Sequence, residues 1–199
     1  MHDLGRNEDR LRGTYEFPFE FHHIDSSHPR YVMSYHWHVE CEIMRVLQGT
    51  LTVTLDEKSF TAKAGDVIFV NSGVLHSGIP QDCIYQCIVF DMNMFLKFNS
   101  VCTEYMQKIS HQELLIYHHF TEKQPDIQRA VNSLFDSFWQ KKPGYELVVF
   151  GQFYHFFGLV FGNHYYLESL RKTRRDYKRI VQLKQVVEFI EKNYASPIT

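Results

Sequence analysis

Residues 36–49, HWHVECEIMRVLQG, decide how this chain is read. Side chains of a strand alternate between its faces, so if residues 36–46 run as one strand, His36, His38, Glu40, Glu42, Met44 and Val46 share a face. Two imidazoles and a carboxylate followed by an apolar continuation place metal-ligand types at the mouth of a cavity. Trp37 and Cys41 have the opposite parity and are expected outside that cavity. Glu40, on the same predicted face, competes with Glu42 as the oxygen ligand. Downstream, residues 65–80 read GDVIFVNSGVLHSGIP, and His76 there can deliver a third imidazole from a neighbouring strand.

Working outward, Tyr31 to Asp91 is strand-like. Runs such as LTVTLD (51–56) and VIFVN (67–71) are separated by turns expected at Gly49, Asp56-Glu57-Lys58 and Gly65-Asp66. Short, closely spaced strands predict an antiparallel sandwich or small barrel. Tyr15, Phe17, Phe19 and Phe21 alternate like an edge strand, able to cap a ligand or to pack in the core. After Asp91 the period becomes helical, and no strand is expected beyond Asp126. Ile127, Ala130, Val131, Leu134, Phe135 and Phe138 form one apolar stripe on a helix over 125–140 that Pro125 and Asp126 begin.

Lys141-Lys142-Pro143-Gly144 then breaks the chain, and a second helix is expected from Leu147 to Tyr166. It is apolar all round, so it needs two partners, one of which can be a second subunit. Gly158-x-x-x-Gly162 has the spacing of membrane helix pairs, but Gln152, His155, Asn163 and His164 would be costly in hydrocarbon, which favours a buried helix over a membrane span. Leu170 to Arg179 is basic and reads as a solvated linker. A last helix follows over Ile180 to Tyr194, and its uncovered apolar stripe suggests that a further domain is cut off after Thr199.

The 199 residues suit one domain of ordinary size or one domain plus an appendage. With 44% hydrophobic and 22% charged residues the chain should fold, which excludes a disordered or low-complexity protein. A formal charge of -2 gives no global pull toward nucleic acid or anionic lipid. Cys41, Cys83, Cys87 and Cys102 make no CxxC and read as reduced thiols. The charged N-terminus, MHDLGRNEDRLRG, shows no secretion signal, so the expected location is the cytoplasm.

At these residues the chain resembles the cupin superfamily, with motifs G-x5-H-x-H-x3,4-E-x6-G and G-x5-P-x-G-x2-H-x3-N. His36, His38, Glu42 and Gly49 match the first, and Gly65, Gly73 and His76 the second. Arg30 stands where the leading Gly would fall, Asn71 in place of Pro, and Pro80 in place of the final Asn. All four positions that bind metal in cupin enzymes are therefore present.

Adding the helix pair joined by KKPGYE and the terminal VVEFIEKNYASPIT, the chain over about residues 15 to 199 resembles the N-terminal effector-binding and dimerisation region of an AraC-family transcriptional regulator. In that family the last segment begins the DNA-binding domain, whose recognition helices this chain lacks. The resemblance implies an α+β fold: a cupin-like antiparallel β-barrel over residues 1–95, a helical dimerisation hairpin over 96–170, and a linker with the first DNA-domain helix over 171–199. It also implies a small-molecule effector, a homodimer, and DNA contact through the missing C-terminal domain.

His36, His38, Glu42 and His76 are the candidate ligand-binding residues, and two uses of them stay open. They can hold a divalent transition metal, with three nitrogens and one oxygen suiting Zn, Ni or Fe(II) better than Mg or Ca. They can instead line a polar pocket for a sugar-like effector. The leading function is a sensing module without catalysis; the alternative is a metal-dependent cupin enzyme, a dioxygenase or isomerase. Gly49, Gly65 and Gly73 are read as turn residues only.

Overall fold

Two long strands carry the architecture. In a computed structural model that describes residues 12–97 and 101–169, the backbone of Arg6–Asn7, and the isolated positions Gln182 and Val186, the first strands are β1 (Arg6–Asn7), β2 (Phe19–Ile24), β3 (Met33–Trp37), β4 (Cys41–Leu55), β5 (Lys58–Lys63), β6 (Val67–Val70) and β7 (His76–Phe90). β4 and β7 pair antiparallel along their whole lengths, from Cys41 opposite Phe90 to Leu55 opposite His76. The other edge of β7 takes β2 and, at its start, β3, with His36 opposite His76. The other edge of β4 takes β6 and β5. The ladders are antiparallel except for a two-residue parallel pairing of β1 with β3.

Residues 36–46 are not one strand. β3 ends at Trp37 and β4 begins at Cys41, so His38, Val39 and Glu40 form a corner. That corner is fastened from the second motif: Gly73 N–H donates to the His38 carbonyl at 2.8 Å, and the Ser72 hydroxyl donates to the Val39 carbonyl.

Gly49 also differs from expectation, for it lies inside β4 and not at a turn. The β4–β7 register shifts on either side of Gln48, a bulge that moves the inward residues from Met44 and Val46 to Leu51, Val53 and Leu55. Gly49 has φ +67°, and a Cβ there would stand 2.2 Å from the Asp82 carbonyl oxygen.

Both faces of β4 are buried from Cys41 to Val46, because the sheet is rolled and its outside is covered there. Met44 and Val46 join an inner core with Ile24, Leu51, Val53, Ile68, Val70 and Tyr85. Cys41 and Ile43 face an outer core shared with the helices, as parity predicted for Cys41. Phe17, Phe19 and Phe21 pack on that outer core, which decides between their two expected roles, while Tyr15 is exposed.

After Phe90 come a 3-10 turn (Met92–Leu96), α1 (Thr103–Ser110), β8 (Leu114–Ile116), β9 (His119–Phe120), α2 (Pro125–Gln140), α3 (Tyr145–Gly162) and β10 (Tyr166–Glu168). α2 has the expected bounds and buries the expected six side chains. α3 stops earlier than its apolar run. His164 takes φ 55°, Tyr165 N–H bonds the Val160 carbonyl and His164 N–H the Phe161 carbonyl, which closes the helix in a Schellman turn.

The region is mainly helical, as expected, but β8 and β9 interrupt it, and β10 overturns the expectation of no strand after Asp126. β9 adds to β6 of the barrel sheet, and β10 pairs β8. Two- and three-residue strands exist only through their partners, so no local period announces them.

The two apolar sides of α3 are largely satisfied within the chain. Val149, Phe153, Phe156, Phe157 and Val160 are buried in the outer core. Phe150 and Tyr154 meet Phe17, Phe19 and Phe95, and Phe161 meets Tyr105. What remains exposed is a narrower face with Leu147, Val148, Gly151, His155 and Gly158. The basic stretch 170–179 and the helix expected over 180–194 lie outside the described residues, apart from Gln182 and Val186. Among the described residues no helix is long and apolar enough to cross a membrane.

Candidate functional site

Rolling the sheet brings together residues that its ladders hold far apart. Glu42 pairs with Val70 and Val89, whereas His76 pairs with His36 and Leu55. Yet Glu42 Oε2 lies 3.2 Å from His76 Nε2 and 3.4 Å from His38 Nε2. One ligand atom from each of His36, His38, Glu42 and His76 can be chosen so that all lie within 4.8 Å of one another. The four predicted side chains therefore meet, although His38 comes from a corner and not from the strand assumed for it. Glu40 does not join them: its Oε2 approaches His38 on the far nitrogen, Nδ1, at 3.7 Å.

Backbone carbonyls fix how the three rings face. His36 Nδ1 donates to Ser34 O at 2.9 Å, His38 Nδ1 to Glu40 O at 3.1 Å, and His76 Nδ1 to Val74 O at 2.9 Å. A carbonyl can only accept, so each Nδ1 carries the hydrogen and each neutral ring presents its lone pair at Nε2. Nε2 of His38 and of His76 are buried without a hydrogen bond. Lone pairs aimed beside a buried carboxylate repel it unless a cation or proton lies between. Metal–ligand bonds of about 2.0–2.2 Å set neighbouring ligand atoms roughly 3–3.5 Å apart, a spacing the two Glu42 contacts already have. The residues fit a divalent ion, and their carbonyl-anchored Nδ1 atoms are the outer support such ligands use.

The same crowding sets the electrostatics. Burial, with the His76 imidazole next, lowers His36 to about 4, against the opposing pull of Glu42. For Glu42, burial alone would raise the carboxyl; where a proton and not an ion bridges it to His38 or His76, that contact overcomes burial and holds the group well below its usual range. Cys87 is pushed well above the ordinary thiol range by burial and then by Glu42, to which its S–H donates.

Beside the cluster opens a cavity of about 280 Å³, lined by His36, His38 and Glu42 and also by Arg12, Arg30, Tyr85 and Cys87. The last four were not anticipated. Tyr85 and Cys87 have inward parity on β7 and could have been found from that strand; Arg12 and Arg30 sit in irregular segments with no period to read. Of the departures from the cupin motifs, Asn71 has a structural use. Its side chain donates to Ile116 O at 2.8 Å and accepts from Ile116 N at 3.0 Å, pinning β8 to the barrel.

Known proteins resemble parts of this chain. The family described as "AraC-like ligand binding domain" matches residues 18–157. An uncharacterized HTH-type transcriptional regulator, YdeC of Bacillus subtilis (strain 168), is 25% identical over 170 residues, covering 82% of this chain and 57% of that protein. The chain thus spans little more than half the length of this curated relative. Among solved structures, Bacillus subtilis oxalate decarboxylase is 25% identical with a TM-score of 0.28, covering 30% of this chain and 18% of that one. A conserved Streptococcus pyogenes protein of unknown function is 15% identical with a TM-score of 0.32, covering 37% of this chain and 62% of that one.

Proposed function

The chain belongs to the AraC-like ligand-binding domain family, and from that premise we propose that it is the sensing portion of a cytoplasmic transcriptional regulator, in which a small effector enters the barrel and its presence is relayed toward DNA. The observation that carries this reading is the convergence of three carbonyl-anchored imidazoles on Glu42 at the wall of a small cavity. His36, His38, Glu42 and His76 would hold a divalent ion, with Zn, Ni and Fe(II) suited to the donor set. Such an ion would supply Lewis acidity toward an oxygen of the effector.

The proposed division of labour is a sensing barrel over 1–95, with β9 lent back to its wall, a dimerising region over 96–170, and a linker over 171–199. DNA would be contacted by a region outside this chain, in keeping with the name of the Bacillus subtilis relative. Arg45 supports a relay by position. It is three residues from Glu42 and reaches outward, its Nε donating to Gln86 at 2.8 Å and its terminal nitrogens to Asn132 and to Asp136 of α2 at 3.1 and 2.9 Å.

A second reading, a metal-dependent cupin enzyme, draws on the same four ligands and the open cavity. Turnover of a small molecule that stops when the ion is removed would favour it over sensing.

The test is metal content with ligand binding. Purified protein should carry a transition ion near stoichiometry, and His38→Ala should lose both the ion and thermal stability. Failure to take up Zn, Ni or Fe(II) at saturation, with small-molecule binding unchanged after replacement of both His36 and His76, would overturn it.

A further inference from the structure

Whatever enters the cavity meets an unusual set of polar groups. Arg12 and Arg30 line it together with His22, His28 and the imidazoles of the cluster, and Glu42 is the one carboxylate among the described lining residues. Glu42 is already engaged by His38 and His76. Among those lining residues there is no Asn, Gln or Asp. A neutral polyol needs acceptors for its hydroxyl protons as well as donors; once an ion takes the Nε2 lone pairs, the side-chain acceptors left on this wall are Glu42 and the hydroxyls of Ser34, Tyr35 and Tyr85, beside the positive charges of Arg12 and Arg30.

From this we infer that the effector is a small organic anion, whose carboxylate or phosphate oxygens are held by Arg12 and Arg30 together with the His36, His38, Glu42 and His76 cluster. The inference rests on the reading of the barrel as an effector site and names the class of ligand for it. Guanidinium groups match planar and tetrahedral oxyanions with paired N–H donors, which makes arginine the side chain suited to this task. Arg12 is fixed in place at the wall: the residue is 3% exposed, and its terminal nitrogen is ion-paired with Glu20 at 2.8 Å, which orients the guanidinium and offsets part of its charge. A divalent ion held by three neutral imidazoles and one carboxylate would keep a positive charge, which again selects an anionic donor. The cavity of about 280 Å³ limits that anion to a small one.

Calorimetric titration of the metal-loaded chain with malonate, inorganic phosphate and D-xylose tests the class. Malonate or phosphate should bind while xylose does not, and preference between the two anions identifies a carboxylate or a phosphorylated ligand. Arg30 is exposed, so Arg30→Gln should fold normally and weaken anion binding about tenfold or more. Arg12→Gln should do the same, and circular dichroism checks that this buried replacement still folds. Xylose binding as tightly as either anion, or anion binding indifferent to both replacements, would overturn the inference. Uptake of the ion with no response to any of the three probes overturns the anionic class and leaves the metal reading standing. No uptake of ion and no binding of any probe overturns both.

Discussion

The two cores on either side of β4 are built from different materials. Ten of the buried side chains in the outer core are Phe, with Phe153, Phe156 and Phe157 from α3 meeting Phe69, Phe90 and Phe95. The inner core has no buried Phe among the described residues; it is Ile, Val, Leu, Met, Ala, Cys and one Tyr. Rings fill volume, and the outer core is closed. Smaller side chains leave the barrel room for a cavity and for a buried carboxylate among imidazoles. One strand serves both because its alternation sends Glu42 and Met44 inward and Cys41 and Ile43 outward. The lesson is that rigidity and ligand access are assigned to opposite faces of a single strand.

If that assignment holds, damage to the outer core should cost stability first. Phe156 is fully buried and stacks on Phe69 with ring centroids 5.7 Å apart. Phe156→Ala should lower unfolding free energy by about 3–5 kcal/mol, the cost of lost burial plus the void left behind. Denaturant titration measures it, and a loss below roughly 1 kcal/mol would show that the aromatic core is loosely packed or readily collapses.

The inner core should instead be the acid-sensitive one. His36 titrates near 4 when folded and near 6.5 when unfolded, so below pH 6.5 the unfolded chain takes a proton that the folded chain refuses. Stability is therefore complete above pH 6.5 and falls by about 3 kcal/mol as pH drops to about 4. Glu42, held well below its ordinary range, extends the loss in the same direction at lower pH. Urea unfolding of chelator-treated protein at pH 7 and pH 4 checks this, and His36→Asn should flatten the dependence. Equal pH dependence in wild type and variant would remove His36 from the explanation.

How far the sequence could be read differs between the same two regions, for physical reasons. α2 was legible because one stripe of six apolar residues has a helical period and Pro125 marks its start. α3 was legible as a helix but not at its ends, since a segment apolar all round gives no phase, and its stop depends on His164 adopting a left-handed conformation. β8, β9 and β10 left no trace because their strand character comes from their partners. In the barrel, spacing picks out His36, His38, Glu42 and His76, four side chains that the structure brings together, although a corner at 38–40, and not a single strand, does the positioning. The bulge at Gly49 was hidden because its need for glycine comes from Asp82, far along the chain. Arg12 was invisible for the same reason: its place on the cavity wall is a tertiary fact.

The smallest effect on folding should come from the face of α3 that belongs to neither core. Leu147 is 79% exposed and Val148 45%, and a Cβ added at Gly151 or Gly158 would meet nothing within 4 Å. With the sides of α3 occupied by Phe17, Phe95 and Tyr105, this strip is what a second copy could cover. Its glycines would let two helix backbones approach closely about a two-fold axis. Leu147→Lys should change monomer stability by no more than about 0.5 kcal/mol, since it breaks no buried contact. It should nevertheless shift the sedimentation equilibrium toward monomer, and the thermal midpoint of the wild type should rise with protein concentration while that of the variant does not. A wild-type chain that sediments as a monomer at every concentration would mean that the exposed strip has no partner in itself. The relay proposed through Arg45 and α2 would then have to reach DNA without a second subunit.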